Sequence, residues 1–224
     1  MSKEKKATAN AKIEDFIIKN RKIFICGVAV LVVAAVVVCT VFAISDSNKK
    51  KDLAAIDSIE YSYAAKSGEI EEDEAASRQA KAEEALAPYL SKKNVAGVRA
   101  NMLYADIAFA KKDFIKALDC YLKAANASKK AYTYAECMYN AGVCAEELSK
   151  NDDAVAYYKV AADTEDFYLA SHALFNAARV CEVSENYSNA AELYQKTVDS
   201  YSGYEWANLS ESRLIDLKAK GKID

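Results

Sequence analysis

An all-α protein, with one membrane-spanning helix followed by a solenoid of helical hairpins, is predicted by three features of the 224-residue sequence: an uncharged apolar run from Ile23 to Ile44, a self-similarity at steps of 37 and 36 residues, and a scarcity of turn formers. One Pro and six Gly in the whole chain leave too few tight turns for a many-stranded sandwich or barrel. The single histidine, His172, and six Cys with no CxxC pair supply no set from which a zinc site or a Ser/His or Cys/His catalytic pair could readily be built. The composition therefore points away from an enzyme and from any metal or other cofactor.

The chain begins with a basic leader. Residues 1–22 carry seven Lys/Arg against three acids, whereas residues 45–224 hold 23 basic and 30 acidic side chains, a net of −7. An acidic body repels phosphate backbones, which disfavours nucleic acid as a partner. Residues 23–44 follow as 22 uncharged residues with Thr40 as the one hydroxyl side chain. At 1.5 Å per residue the run reaches about 33 Å, enough to cross a hydrocarbon core of about 30 Å. Its valines favour strand in water, but an isolated segment in lipid must satisfy its backbone internally, which predicts a helix. A cleaved signal peptide, with Val41-Phe42-Ala43 before the cut, is the alternative. A retained anchor is favoured because the run is longer than the 7–15 apolar residues of such signals. Cys39 follows Val36-Val37-Val38, too bulky for a lipoprotein acceptor site, so Cys26 and Cys39 read as small apolar residues.

The basic excess ahead of the span predicts a cytoplasmic N-terminus and an exported body, against the opposing pull of Lys49, Lys50 and Lys51. Residues 45–96 form a juxtamembrane segment and helical hairpin. Leu53, Ile56, Ile59 and Tyr63 make one apolar stripe, and Asp73 to Leu90 a second helix whose start, Glu71-Glu72-Asp73-Glu74, suits the positive end of a helix dipole and reads as solvated.

Residues 97–203 hold three repeats that superimpose without gaps: Leu103 to Ala124, Asn140 to Ala161 and Asn176 to Thr197. Small residues recur at Ala105, Gly142 and Ala178 and again at Ala117, Ala154 and Ala190. Tyr121, Tyr158 and Tyr194 form an aromatic column, Ala124, Ala161 and Thr197 a further one, and Phe114, Asn151 and Tyr187 a column broken in its middle member. Each unit reads as two antiparallel helices about a polar turn: Lys111-Lys112-Asp113, Ser149-Lys150-Asn151 and Ser184-Glu185-Asn186. The small columns allow close helix approach, the tyrosines cover the seam to the next unit, and only stacking makes the core continuous. Cys120, Cys137, Cys144 and Cys181 fall in apolar helical stretches and are expected as buried small residues, with a disulfide unsupported by spacing. Residues 204–224 form an amphipathic capping helix with Trp206, Leu209, Leu214 and Leu217 on its apolar side and Gly221 as its stop.

This order of small residue, turn, aromatic, Ala, Tyr and Ala resembles the tetratricopeptide repeat, over about 100 residues from Arg99 to Ser200. The units here are two or three residues longer than the usual 34 and lack its closing Pro. The order of basic tail, span, hairpin and repeats is similar to the ancillary subunit of the bacterial Sec translocon. That resemblance implies a single-pass inner-membrane protein with a periplasmic repeat domain, whose protein partners would be the translocon or periplasmic chaperones. The resemblance to tetratricopeptide arrays also implies a concave groove lined by the first helices. Here it would present Met102, Asp106 and Phe109, then Tyr139, Val143 and Glu146, then His172, Phe175, Arg179 and Glu182. Such a surface suits an apolar segment bearing some positive charge. With Arg99 and Arg179 its sole basic residues, it is a poor clamp for a carboxylate, and His172 reads as a packed histidine. The reading is a tethered interaction module. A self-associating envelope scaffold, a homo-oligomer without a client, is the alternative.

Overall fold

The computed structural model describes Glu14 and residues 16–65 and 71–224; Lys3, Lys5, Lys6 and Lys12 of the basic leader lie outside the described residues. The chain divides into two compact units, Met1–Lys51 and Asp52–Asp224. Among the described residues all regular structure is helical.

Helix α1 is Arg21–Ala64, long and apolar enough to cross a membrane, and through residue 44 its large apolar side chains are exposed. The helix does not stop at the end of the apolar run: Ser45 to Lys51 remain helical, supported by the Asp46–Lys50 pair at 2.8 Å one turn apart.

The second unit begins with the end of α1, which pairs with α2 (Glu72–Leu86). Ile56 is completely buried with Ala82 and Leu86, and Leu53, Ile59 and Tyr63 pack around them, so the predicted stripe is the buried one. The acidic start of α2 is exposed, and Glu74 holds Arg78 at 2.6 Å within the helix. Pro88, which cannot continue the α-helical ladder, lies in a short 3-10 turn, Ala87–Tyr89, so α2 ends before the expected Leu90.

Six helices make the three hairpins: α3 (Val95–Ala110) with α4 (Phe114–Ala127), α5 (Thr133–Glu147) with α6 (Asn151–Ala162), and α7 (Ala170–Val183) with α8 (Tyr187–Ser200). Each packs on its sequence neighbours, as in a solenoid, and α9 (Glu205–Ala219) closes on both α8 and α7. The hairpin turns share one device. Lys112, Ser149 and Glu185 adopt positive φ (60, 56 and 58°), and the next residue's N–H reaches back to Ala108, Ala145 or Cys181 at 2.8–2.9 Å. These are Schellman caps, filled by residues that carry a Cβ where glycine is easiest. Gly221, at φ 63°, repeats the device after α9, with Lys222 N–H donating to Leu217 at 2.9 Å. Thus α9 is more than an amphipathic lid: it ends as the first helix of a unit ends, 36 residues after Glu185.

The small columns have a visible purpose. Ala105, Ala117, Ala154, Ala178 and Ala190 are fully buried. At Gly142 a Cβ would lie 2.7 Å from the Tyr158 ring, so the two helices of the middle unit can approach this closely only without a side chain there. Tyr121, Tyr158 and Tyr194 are all buried, as are Ala124, Ala161 and Thr197. The four cysteines of the repeats are buried and free, and burial pushes the thiols of Cys137 and Cys144 up to about 12. Maleimide should therefore leave these two unlabelled at pH 7 in the folded chain and modify them after denaturation; rapid labelling of the native protein would show that the repeats open locally.

Candidate protein-binding face

The first helices α5, α7 and α9 are joined along one face by side chains, and the acids among them recur at the repeat spacing. The buried tyrosines anchor this face from behind. Tyr158 donates to Glu146 Oε2 at 3.2 Å, Tyr194 to Glu182 Oε2 at 2.9 Å, and Tyr121 to Asp106. Burial first, then the neighbouring carboxylate, pushes the Tyr158 phenol upward, so it stays protonated and donates.

The same carboxylates tie one unit to the next. Arg179 of α7 holds Glu146 of α5 through two bonds of 2.7 Å, and Arg213 of α9 holds Glu182 of α7 through a similar fork. Glu146 and Glu182 share a repeat position with Phe109, and Arg179 shares one with Val143. In the first step of the array both members of the ion pair are thus replaced by apolar residues. Phe109 instead packs edge-on against Phe114, with centroids 5.2 Å apart, and the Tyr121 hydroxyl turns to Asp106 one helical turn earlier. The ion pairs are partly exposed, and each contributes at most about 1 kcal/mol; their fork geometry sets register more than stability.

An aromatic and polar seam runs beside the ion pairs. The Tyr139 hydroxyl meets His172 Nδ1 at 3.1 Å and accepts from Asn176 Nδ2 at 3.1 Å. Its ring lies 5.5 Å from Tyr158 and 5.5 Å from His172. His172 stacks on Trp206 at 3.7 Å and 6°, and Phe175 lies 5.1 Å from Trp206 and 5.6 Å from Tyr194. Burial, and then the charge of Arg179, lowers the His172 pKa, which favours a neutral ring that can accept at Nδ1. Trp206 is half-buried against this seam, between α7 and α9.

The structure thus brings Tyr139, Glu146, His172, Phe175, Arg179 and Glu182 into one connected seam in which each already has a protein partner. Met102 of α3 and Val143 of α5 are half-buried against the core. Asp106 differs. It keeps an exposed edge and has no cationic partner among the described residues, while desolvation by its surroundings, and secondarily the charge of Glu60, raises its pKa. Sequence reasoning missed Glu136 on α5, whose pKa is raised by burial and then by the charge of Asp106. Its signal was the repeat period, since it lies 36 residues before His172. Arg99 does not neutralise this pair: its guanidinium is shared between Asp57 and Glu60 of α1. The face is therefore neutral and interlocked in its later units and acidic in its first two.

Residues 139–205 match the tetratricopeptide repeat family. The chain is 32% identical over 117 residues to a TPR repeat-containing protein of Treponema pallidum (strain Nichols), an alignment covering 52% of this chain and 49% of that protein. It thus spans about half the length of the curated relative it matches. Among solved structures, the nearly identical TPR-like repeats of a Podosopora anserina kinesin light chain superimpose with a TM-score of 0.54 at 12% identity, over 67% of this chain and 79% of that one, and a point variant of the same repeats does so equally. That likeness bears on the fold alone. The repeat array of this chain is an all-helical, tetratricopeptide-like solenoid.

Proposed function

We propose that this chain is a membrane-tethered tetratricopeptide module that holds a protein partner or client, through an apolar segment bearing lysine or arginine, on the face of its first helices near export or envelope machinery. The observation that carries this reading is the pair Asp106 and Glu136, two carboxylates lifted first by burial and then by a neighbouring acid, Glu60 for Asp106 and Asp106 for Glu136, with no cation beside them among the described residues and with Met102 and Tyr139 on the same helices. A cation placed between them would relieve both burdens, and flanking apolar contacts would supply area. The apolar part of α1 supplies the anchor, long and apolar enough to cross a membrane. Anchoring raises the effective concentration of the face for anything in the same bilayer, so a weak contact suffices. The basic leader favours a cytoplasmic N-terminus and a periplasmic repeat domain, and the resemblance to the Sec ancillary subunit makes the translocon and periplasmic chaperones the first partners to seek.

A photoreactive residue at Met102 in the full chain in intact membranes should trap a specific protein. Asp106→Lys with Glu136→Lys should abolish that adduct, about a hundredfold loss for two reversed contacts, while leaving helicity unchanged. An adduct undiminished by the reversal, or one formed only between copies of this chain, would remove the client reading.

A further inference from the structure

A second tyrosine series recurs in this chain, and it is exposed rather than buried. Tyr132, Tyr168 and Tyr204 lie 36 residues apart, each just ahead of a first helix, and Val95 occupies the same position 37 residues before Tyr132. Their exposures are 87%, 77% and 62%, and 52% for Val95, whereas the tyrosines of the seam column are at most 4% exposed. Three large rings left in water at one repeat position are not needed by the core.

Two of the three close a cavity of about 530 Å³ between the loop joining α6 to α7 and the loop joining α8 to α9. Tyr168, Tyr201 and Tyr204 line it together with Asp163, Glu165 and Asp166, and no lysine or arginine does. The rings are held by edge contacts, Tyr201 to Tyr204 at 6.2 Å and 84°, and Tyr168 to Phe167 at 5.4 Å and 67°. Asp163 is engaged by Lys196 at 2.9 Å, but Glu165 and Asp166 have no ion-pair partner among the described residues. One unit earlier the corresponding loop reads Ser128-Lys129-Lys130, so the exposed Tyr132 stands beside positive charge instead.

We propose that this cavity is a second docking site, which takes a lysine or arginine side chain of a partner polypeptide. A cation among tyrosine faces gains from the ring quadrupoles, and two unpaired carboxylates at the rim add charge complementarity that the basic loop of the preceding unit would oppose. Tyrosine is suited to such a surface because it offers large contact area at little entropic cost. The site is separate from the Asp106–Glu136 face and does not depend on it.

The test is calorimetric titration of the full chain, in uncharged detergent micelles, with a capped Gly-Arg-Gly-Arg-Gly peptide and its citrulline counterpart, which keeps the shape and removes the charge. The arginine peptide should bind, and the citrulline peptide should bind about tenfold more weakly or not at all. Tyr168→Ala with Tyr204→Ala, and separately Glu165→Gln with Asp166→Asn, should each weaken binding about tenfold. Asparagine also tolerates the positive φ of Asp166 (57°), so the second pair keeps the loop even if the first disturbs it. Tyr132→Ala should change nothing. Absence of binding, equal affinity for the two peptides, or indifference to both double variants overturns the proposal. Loss with Asp106→Asn and Glu136→Gln instead would place the basic segment on the first-helix face and likewise overturn it.

Discussion

Tyr158→Ala should destabilise the repeat unit by about 3–5 kcal/mol, the largest effect expected of any single truncation in the solenoid. The ring is 1% exposed, sits against the bare backbone of Gly142 and lies 5.5 Å from Tyr139, so its loss leaves a cavity that rigid helices cannot fill by collapse. It also frees Glu146, which then depends on Arg179 alone. Tyr158→Phe keeps the ring and removes the hydroxyl, which should cost only about 1 kcal/mol. Circular dichroism melts of the full chain in detergent, recorded for the three proteins side by side, would resolve the two terms. A small shift for the alanine variant would mean that the middle unit is not coupled to its neighbours, contrary to a continuous core.

The second large effect is expected in α1. Val33→Arg with Val37→Arg places two charges on one face near the midpoint of the apolar run, at a cost of about 2.5–3.5 kcal/mol each on insertion scales. Both valines are exposed, so the substitutions disturb no packing in the folded chain. The wild-type chain should remain in the membrane pellet after alkaline carbonate extraction, and the double variant should move to the soluble fraction. Retention of the variant in the pellet would show that something other than this helix holds the chain at the membrane.

The two experiments probe parts that were legible in the sequence to different depths. The hairpins were readable because a column of small residues and a column of tyrosines 36 or 37 residues apart admit few alternatives: helices that must approach closely need Ala or Gly at the contact, and an aromatic must cover the remaining gap. The first-helix face was legible as a set of residues but not as a state. Periodicity puts Glu146, Arg179 and Glu182 on first helices, yet nothing in a single repeat says that the acid of one unit and the arginine of the next lie within bonding distance across the seam. The replacement of that pair by Phe109 and Val143 in the first step was a signal available beforehand, since both members change together.

By itself the sequence determined which segments are helical, where the hairpins turn and which residues must be small or buried, because these follow from period, breaker scarcity and volume, all local properties of the chain. It also set the apolar length that a bilayer requires. Only the tertiary structure decided which groups on the first-helix face are already bound and which remain open. The stacking of α5, α7 and α9 consumes Glu146, Glu182, Arg179 and His172 in contacts between units, while Asp106, held by the Tyr121 hydroxyl, and Glu136 have no cation beside them among the described residues. The physical reason is that hydrogen bonds and ion pairs depend on distance and direction to within a few tenths of an ångström, and those are fixed by how whole helices pack, not by spacing along the chain.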